Sequence, residues 1–192
     1  MAKAQVPGSG KGSDEQWLAG MNGRHRQVFD VSSLNGGTVL NPVRNFLNAY
    51  NEAYGVPDAE LSAAVVVHGS ALPIVFGDEA WERWGFGERH AITDPSTGRP
   101  ARRNIFRPAR PEMLGPLDAS VEALQRRGVV FLLCNNSLKR AAGEAARASG
   151  GDPEEVRKAM IAGLLSGVVV VPAAVVAINR AQEHGLSYVF LG

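Results

Sequence analysis

A cysteine and a histidine each follow a predicted buried strand and precede a predicted helix. Cys134, the single cysteine of the 192-residue chain, comes directly after the apolar residues 129–133. His68 comes directly after residues 61–67, which are apolar except for Ser62. The carboxyl ends of parallel strands meet at one edge of a sheet, where α/β proteins bind ligands. If the two strands are neighbours, the histidine can accept the thiol proton and hold a nucleophilic thiolate. Cys134 and His68 are therefore the candidate catalytic pair.

Each member of this pair also has a structural interpretation. A free cysteine is among the most buried residue types and commonly acts as a small apolar filler. A histidine at a strand end can cap its own turn. The four histidines, at positions 25, 68, 90 and 184, are too scattered to predict a metal site, and we predict no metal and no cofactor.

Two asparagines follow the cysteine directly. Asn135 and Asn136, with Ser137, belong to the residue types that cap helix N termini. Their side chains could also donate hydrogen bonds to a bound anion or to a persulfide. Capping is the simpler interpretation, and we carry both asparagines forward as candidate substrate-binding residues.

Residues 86–115 form a predicted loop-like insertion that is rich in proline and arginine. Arg99, Arg102, Arg103, Arg107 and Arg110 cluster in it. Guanidinium groups suit oxyanions such as thiosulfate, phosphate or carboxylate, and we take Arg102 and Arg103 as the anion-binding candidates. The alternative is a subunit-contact arm whose arginines pair with acids. Trp81, Trp84 and Phe86 just before the insertion are then either interface anchors or ordinary core.

The overall composition excludes several classes of function. Lys and Arg total 20 against 19 Asp and Glu, so nothing indicates general binding to nucleic acid or to a membrane surface. One cysteine excludes an intrachain disulfide. The chain also lacks the glycine-rich nucleotide-binding motifs and the G-x-S-x-G and H-E-x-x-H motifs, which disfavours nucleotide binding and common hydrolase chemistry.

Two segments bear on targeting. Residues 1–15 are rich in Gly, Ser and Lys and lack an apolar core, which predicts a disordered lead-in rather than a signal peptide or membrane anchor. Residues 161–178 are almost wholly apolar, but Ser166, Gly167 and Pro172 interrupt them. That punctuation predicts a buried strand between two helices, and no membrane span.

Predicted strands and helices alternate along the rest of the chain, and the strands are continuously apolar. Continuous apolar strands are typical of a sheet that is covered on both faces. We therefore predict a three-layer α/β/α sandwich with a mainly parallel sheet of about five strands, formed as a single domain by residues 16–192. Asn41 is expected to be the N-cap of a helix with Pro42 at its first position and Gly55 at its end. An apolar helix is expected to follow residue 70 and run through Ile74 and Val75 to Trp81.

Three separated segments resemble one family in the same order along the chain. They are Val-Val-Val-His-Gly at 65–69, Gly-Val-Val-Phe-Leu-Leu-Cys-Asn-Asn-Ser-Leu at 128–138, and Gly-Val-Val-Val-Val-Pro-Ala-Ala-Val at 167–175. The chain thereby resembles the DsrE/DsrF-like, or YchN-like, proteins over residues 24–192. The resemblance implies that Cys134 carries a persulfide in sulfur relay and that the subunits form trimers or hexamers.

These observations lead to one expected function and two alternatives. The expected function is that of a sulfur carrier, in which Cys134 accepts sulfane sulfur as a persulfide and passes it to a partner protein. Such a carrier acts in sulfur relay or resembles a sulfurtransferase. The first alternative is a non-catalytic oligomeric module that binds a small ligand or a partner at the same edge. The second is an enzyme that uses His68 and the arginines without the thiol. The expected compartment is the cytoplasm, or the periplasm if an export leader has been removed.

Overall fold

The computed structural model describes residues 16–107 and 118–192. The described residues contain seven strands: β1 (His25–Val31), β2 (Leu61–Val67), β3 (Thr93–Asp94), β4 (Arg99–Pro100), β5 (Val130–Cys134), β6 (Val169–Val171) and β7 (Ser187–Phe190). Five of them form one sheet in the order β6-β5-β2-β1-β7, and every neighbouring pair in it is parallel. The β3 and β4 strands form a separate antiparallel pair.

Helices cover both faces of the five-stranded sheet. In the described residues they are α1 (Gln16–Ala19), α2 (Asn41–Tyr54), α3 (Asp78–Trp84), α4 (Phe86–Arg89), α5 (Val121–Arg126), α6 (Asn135–Ser149), α7 (Pro153–Ala162) and α8 (Ala174–Glu183). One face packs against α2, α3, α5, α6 and α7, and the other packs against α1 and α8. The predicted three-layer sandwich is confirmed.

The alternation of side chains along each strand separates the two cores. On β2, Val65 and Val67 belong to the core beneath α2 and α6, whereas Ala64 and Val66 belong to the core beneath α1 and α8. All seven residues of β2 are buried, which a central parallel strand requires. Cys134 belongs to the core on the α8 side.

The apolar run 161–178 folds as its punctuation predicts. α7 ends at Ala162, β6 spans Val169–Val171, and α8 begins at Ala174. Asp152 caps α7, because its carboxylate accepts hydrogen bonds from the backbone N–H groups of Glu154 and Glu155. None of the helices in the described ranges has the length and apolarity needed to cross a membrane.

Two predicted helix boundaries were wrong. Asn41 is the first helical residue of α2, and the N-cap position belongs to Leu40, which makes no side-chain cap. The expected helix from residue 70 to Trp81 is two elements, a 3₁₀ helix at Gly69–Val75 and then α3. Pro73 lies inside the first, and proline has no N–H with which to continue an α-helical ladder.

The described part of the insertion, residues 86–107, contains regular secondary structure. It contains α4 and the β3-β4 pair, elements of two to four residues that are too short to produce a periodic pattern. Asn104, which has no exposed surface, joins this segment to the rest of the fold through hydrogen bonds to Ile74 and Phe76. Arg110, residues 1–15 and residues 108–117 lie outside the described residues, so the prediction of a lead-in is not addressed.

Candidate functional site

Cys134 is the last residue of β5 and lies between the sheet and α8. It is 5% exposed. Its Sγ accepts a hydrogen bond from the backbone N–H of Ala174, the first residue of α8, at 3.3 Å. The rest of its surroundings include Leu132 and Val171 of the same core. The thiol therefore faces an N–H donor at a helix N terminus within an otherwise apolar setting.

His68, Asp30 and Tyr188 form a hydrogen-bonded chain at the same edge. His68 Nε2 lies 2.7 Å from Oδ1 of Asp30. The Tyr188 hydroxyl donates to the other carboxylate oxygen of Asp30 at 2.8 Å. The side chains of His68 and Asp30 are 28% and 11% exposed, so this is a largely covered pair that solvent still reaches from one side.

The carboxylate of Asp30 determines the tautomer of the neutral His68 imidazole. A carboxylate can only accept hydrogen bonds, so Nε2 of His68 carries the proton in this contact when the ring is neutral. Nδ1 is then the unprotonated nitrogen and can accept a proton. An aspartate that holds a histidine in one tautomer is the arrangement used to position a general base.

The sheet register brings His68 and Cys134 together. The last paired residues of β2 and β5 are Val67 and Leu133, and His68 and Cys134 each follow by one residue. His68 keeps an extended backbone, with φ −151° and ψ −176°, so its side chain continues the alternation and falls on the α8 side. Neighbouring strands lie about 4.8 Å apart. The predicted pair thus occupies adjacent positions on one face of the sheet.

The backbone beyond His68 turns sharply at a glycine. Gly69 has φ +59°, and a Cβ at this position would lie 2.8 Å from the carbonyl oxygen of Ser32. Both the left-handed conformation and the close approach exclude a side chain here. The turn leaves the His68 side chain on the face that carries Asp30.

We expect Tyr188 to ionise at higher pH than an ordinary tyrosine. The hydrogen bond to Asp30 raises the pKa of Tyr188, and burial and the negative charge of Asp30 act in the same direction. A raised pKa in the folded state means that this stabilisation is present below about pH 10 and is lost as pH rises through the folded-state value. Ultraviolet titration of phenolate absorbance should show one late-titrating tyrosine, which Tyr188→Phe removes. If Tyr188→Phe instead removes a tyrosine that titrates at ordinary pH, the hydrogen bond between Tyr188 and Asp30 would be contradicted.

No family model matches the chain, and no curated protein matches it. A solved structure that it resembles is a protein of unknown function, MTH1491, from Methanobacterium thermoautotrophicum. The two are 21% identical, the match covers 86% of this chain and 98% of the other, and the TM-score is 0.45.

The two asparagines do not cap α6. The N-cap position belongs to Cys134, which makes no side-chain cap, and Asn135 is already helical. The capping interpretation was therefore wrong, because the helix begins one residue earlier than the polar run suggests. Oδ1 of Asn135 accepts a hydrogen bond from Arg157 at 3.3 Å, and Asn136 is exposed. Neither asparagine has a described contact with the sulfur of Cys134.

The candidate arginines of the insertion pair with acids. Arg102 pairs with Glu82 of α3, Arg103 lies 3.7 Å from Asp94 of β3, and Arg107 bridges Asp78 and Glu122. None of the contacts described for Arg102 or Arg103 reaches His68 or Cys134. These acids belong to the same chain, so the pairs stabilise the fold and the contact arm stays a prediction.

The aromatic residues before the insertion are mainly core. Trp81 is fully buried and Phe86 is 1% exposed, and their rings pack 6.1 Å apart. The Trp81 indole N–H donates to the carbonyl of Pro73. Trp84 is partly exposed and lies beneath the Arg83 guanidinium at 4.8 Å. Trp81 and Phe86 stabilise the fold and are not interface anchors in this chain.

Sequence reasoning missed Asp30 and Tyr188. Asp30 is the one acid in the β1 sequence His-Arg-Gln-Val-Phe-Asp-Val, and it is 7% exposed. A buried acid in a strand is costly without partners, which is a signal that could have marked it. Tyr188 belongs to the next strand in the sheet, which only the strand order reveals. Across the described ranges, no three His, Cys, Asp or Glu side chains gather as a metal site.

Proposed function

We propose that Cys134 carries sulfane sulfur as a persulfide and passes it to a partner. The observation that carries this proposal is the adjacency of Cys134 and His68 on one sheet face, with Asp30 holding the imidazole at 2.7 Å. A thiol needs a nearby proton acceptor to become nucleophilic at neutral pH. His68 supplies that acceptor, and Asp30 positions it.

The proposed loading step is a transfer between two sulfur atoms. The thiol proton moves to Nδ1 of His68, and the thiolate of Cys134 attacks the outer sulfur of a sulfane donor such as thiosulfate. A new sulfur–sulfur bond forms on Cys134 as the donor bond breaks. Sulfite leaves with the electron pair of that bond, so no external oxidant or reductant is needed. The persulfide anion remains on Cys134.

The surroundings of Sγ support an anionic sulfur. The Ala174 N–H already donates to Sγ at 3.3 Å, and it belongs to the first turn of the ten-residue helix α8. A helix N terminus favours negative charge, and hydrogen bonds to a charged acceptor are stronger than neutral ones. The 5% exposure of Cys134 requires the donor to approach from the sheet edge where His68 is exposed.

Sulfur loading can be measured directly by mass. The purified protein is incubated anaerobically with thiosulfate or polysulfide, and its intact mass is read before and after a reductant. We expect a reducible gain of one sulfur atom in the wild type and none in Cys134→Ser, whose hydroxyl can still accept from Ala174. A gain that persists in Cys134→Ser, or no gain in the wild type, would refute the persulfide on Cys134.

The second candidate is the non-catalytic binding module. The observation that favours it is the burial of Cys134 among Leu132, Val171 and Ala174, which an apolar filler would also show. This candidate predicts slow alkylation and no sulfur loading, with unchanged folding in Cys134→Ser. The same mass measurement therefore separates the two functions.

The family resemblance adds an assembly to the proposal. We propose a DsrE-like homo-oligomer, a trimer or hexamer, that acts in the cytoplasm with a sulfur donor or acceptor protein. Large apolar side chains are exposed on α8 and β7, with Val175 75% and Phe190 57% exposed, as an oligomer contact would require. Light scattering with size exclusion measures the subunit number, and a monomer at micromolar concentration would contradict the assembly.

A further inference from the structure

A cleft of about 340 Å³ lies between α4, α6 and the 3₁₀ helix that follows His68. The proposed sulfur chemistry does not use it. Leu72 and Phe86, which line it, belong to the core on the α6 side of the sheet, whereas Cys134 belongs to the core on the α8 side. Its volume is within the range of pockets that hold small molecules.

Two arginines line this cleft from different helices. Arg89 is the last residue of α4, and Arg140 lies in the second turn of α6. Neither makes a side-chain hydrogen bond or ion pair with any residue in the ranges 16–107 and 118–192. Arg102, Arg103 and Arg107, by contrast, all have carboxylate partners. Within the described part of the chain, the side-chain donors of Arg89 and Arg140 are therefore left for another group.

The remaining lining residues define the chemistry of an occupant. The Ser137 hydroxyl accepts from the Gly69 N–H at 3.1 Å, which leaves its own proton available to donate. Glu144 is the one acid on the lining, and His90 lies beside it. Leu72 and Ala141 provide apolar surface between the polar groups. Two arginines against one glutamate give the cleft a net positive charge when His90 is neutral.

The pKa of His90 provides a way to detect an anion in this cleft. Burial lowers the pKa of His90 and the neighbouring Arg89 lowers it further, while Glu144 raises it. His90 is therefore neutral near pH 7, and it can donate or accept one hydrogen bond. A negative ligand between the arginines would add a second raising influence on this imidazole.

We propose that this cleft binds a small organic oxyanion, a phosphate or carboxylate joined to an apolar group, between Arg89 and Arg140. The guanidinium groups bind the oxyanion, and forked N–H donors suit both phosphate and carboxylate oxygens. The Ser137 hydroxyl donates a further hydrogen bond. Leu72 and Ala141 contact the apolar part. This site does not involve Cys134, so the proposal does not depend on the persulfide.

Binding of phenyl phosphate and benzoate tests the site, with inorganic phosphate as the probe that lacks an apolar part. In calorimetry at low salt we expect saturable binding of phenyl phosphate or benzoate by the wild type, tighter than that of inorganic phosphate. Arg89→Gln and Arg140→Gln should each weaken it at least tenfold. Arg147→Gln is the matched control, because Arg147 is an exposed arginine of the same helix that does not line the cleft.

A second readout uses His90. In an NMR titration, saturating phenyl phosphate should raise the pKa of His90 in the wild type and in Arg147→Gln. The three arginine variants should have the same thermal unfolding midpoint as the wild type within a few degrees, because the substituted side chains are exposed. Absence of saturable binding to the wild type, or binding that survives both Arg89→Gln and Arg140→Gln, would overturn the proposal. Preserved sulfur loading in these variants would show that the thiol site is separate.

Discussion

Replacing Asn104 with alanine is expected to lower the free energy of unfolding by about 3–5 kcal/mol. Asn104 has no exposed surface, and its side-chain amide donates to the carbonyls of Ile74 and Phe76 at 2.8 and 2.7 Å. Its carbonyl oxygen accepts from the Phe106 N–H at 2.7 Å. Alanine would leave three buried backbone groups without partners, and each such group costs about 1–3 kcal/mol.

Urea unfolding followed by circular dichroism measures this change. Asn45→Ala is the control, since Asn45 is an exposed residue of α2 whose side chain accepts hydrogen bonds from its neighbour Arg44. That substitution should change the free energy of unfolding by no more than about 0.5 kcal/mol. A similarly small effect at Asn104 would show that water replaces the amide, and that Asn104 does not hold the insertion.

Hydrogen exchange can show whether the loss is local. The backbone N–H of Val121 donates to the carbonyl of Phe106 at 2.8 Å, which joins the start of α5 to the segment that Asn104 anchors. We expect this amide to exchange faster in Asn104→Ala while the amides of β2 keep their protection. Equal acceleration throughout would mean that the insertion unfolds together with the sheet.

The strands of the sheet were predictable because they are short apolar segments bounded by turn residues. Residues 61–67 are apolar except for Ser62, and they form the central strand β2 with the same bounds. Strand order was not predictable, since five strands admit many arrangements with the same local pattern. The position of β7 beside β1 decides which residues meet Asp30, and that pairing joins residues about 160 positions apart in the chain.

Of the candidate site, Cys134 and His68 could be predicted from the sequence, whereas Asp30 and Tyr188 could not. Cys134 and His68 follow from the rule that parallel strands end at one edge. Asp30 is hidden within a strand, and Tyr188 lies at the far end of the chain. Asn135 and Asn136 were selected because they follow Cys134, and Arg102 and Arg103 because of their residue type. The contacts described for Asn135, Arg102 and Arg103 lie elsewhere. Residue type marks what a side chain can bind, but only packing decides what it meets.

Long-range polar anchoring is equally invisible to local patterns. The Arg127 guanidinium at the end of α5 binds both carboxylate oxygens of Asp58, at 2.7 and 2.9 Å, and also contacts Asn48 and Asn51 of α2. The Arg127 hydrogen bonds lower the pKa of Asp58, against an opposing effect of burial. In the sequence, Arg127 is one of many arginines, and nothing near it identifies an acid about 70 residues earlier.

Replacing His68 with glutamine is expected to slow the reaction of Cys134 with iodoacetamide at pH 7 by about 10²-fold. A positioned general base contributes a factor of that order or more, and glutamine cannot accept the thiol proton. Asp30→Asn should also slow the reaction, by roughly tenfold. Its amide can donate to Nε2, which places the ring proton on Nδ1 and removes the acceptor from the thiol side.

Pseudo-first-order alkylation rates, with Cys134→Ser as the blank, give the measurement. His25→Gln is the matched control, because His25 lies at the opposite end of β1 and stacks on Tyr50 at 4.3 Å. It should react like the wild type. Equal rates in His68→Gln and the wild type would remove the base from the proposed mechanism.

The pH dependence of the same rates distinguishes proton acceptance from packing. At about pH 10 thiols ionise without a base, so a variant that lacks only the acceptor should approach the wild-type rate there. A variant that distorts the edge of the sheet would stay slow at every pH. Convergence at high pH for His68→Gln therefore assigns the neutral-pH rate to proton transfer, and a constant ratio assigns it to the shape of the site. Since Asp30 acts only through His68, the double variant should be no slower than His68→Gln alone.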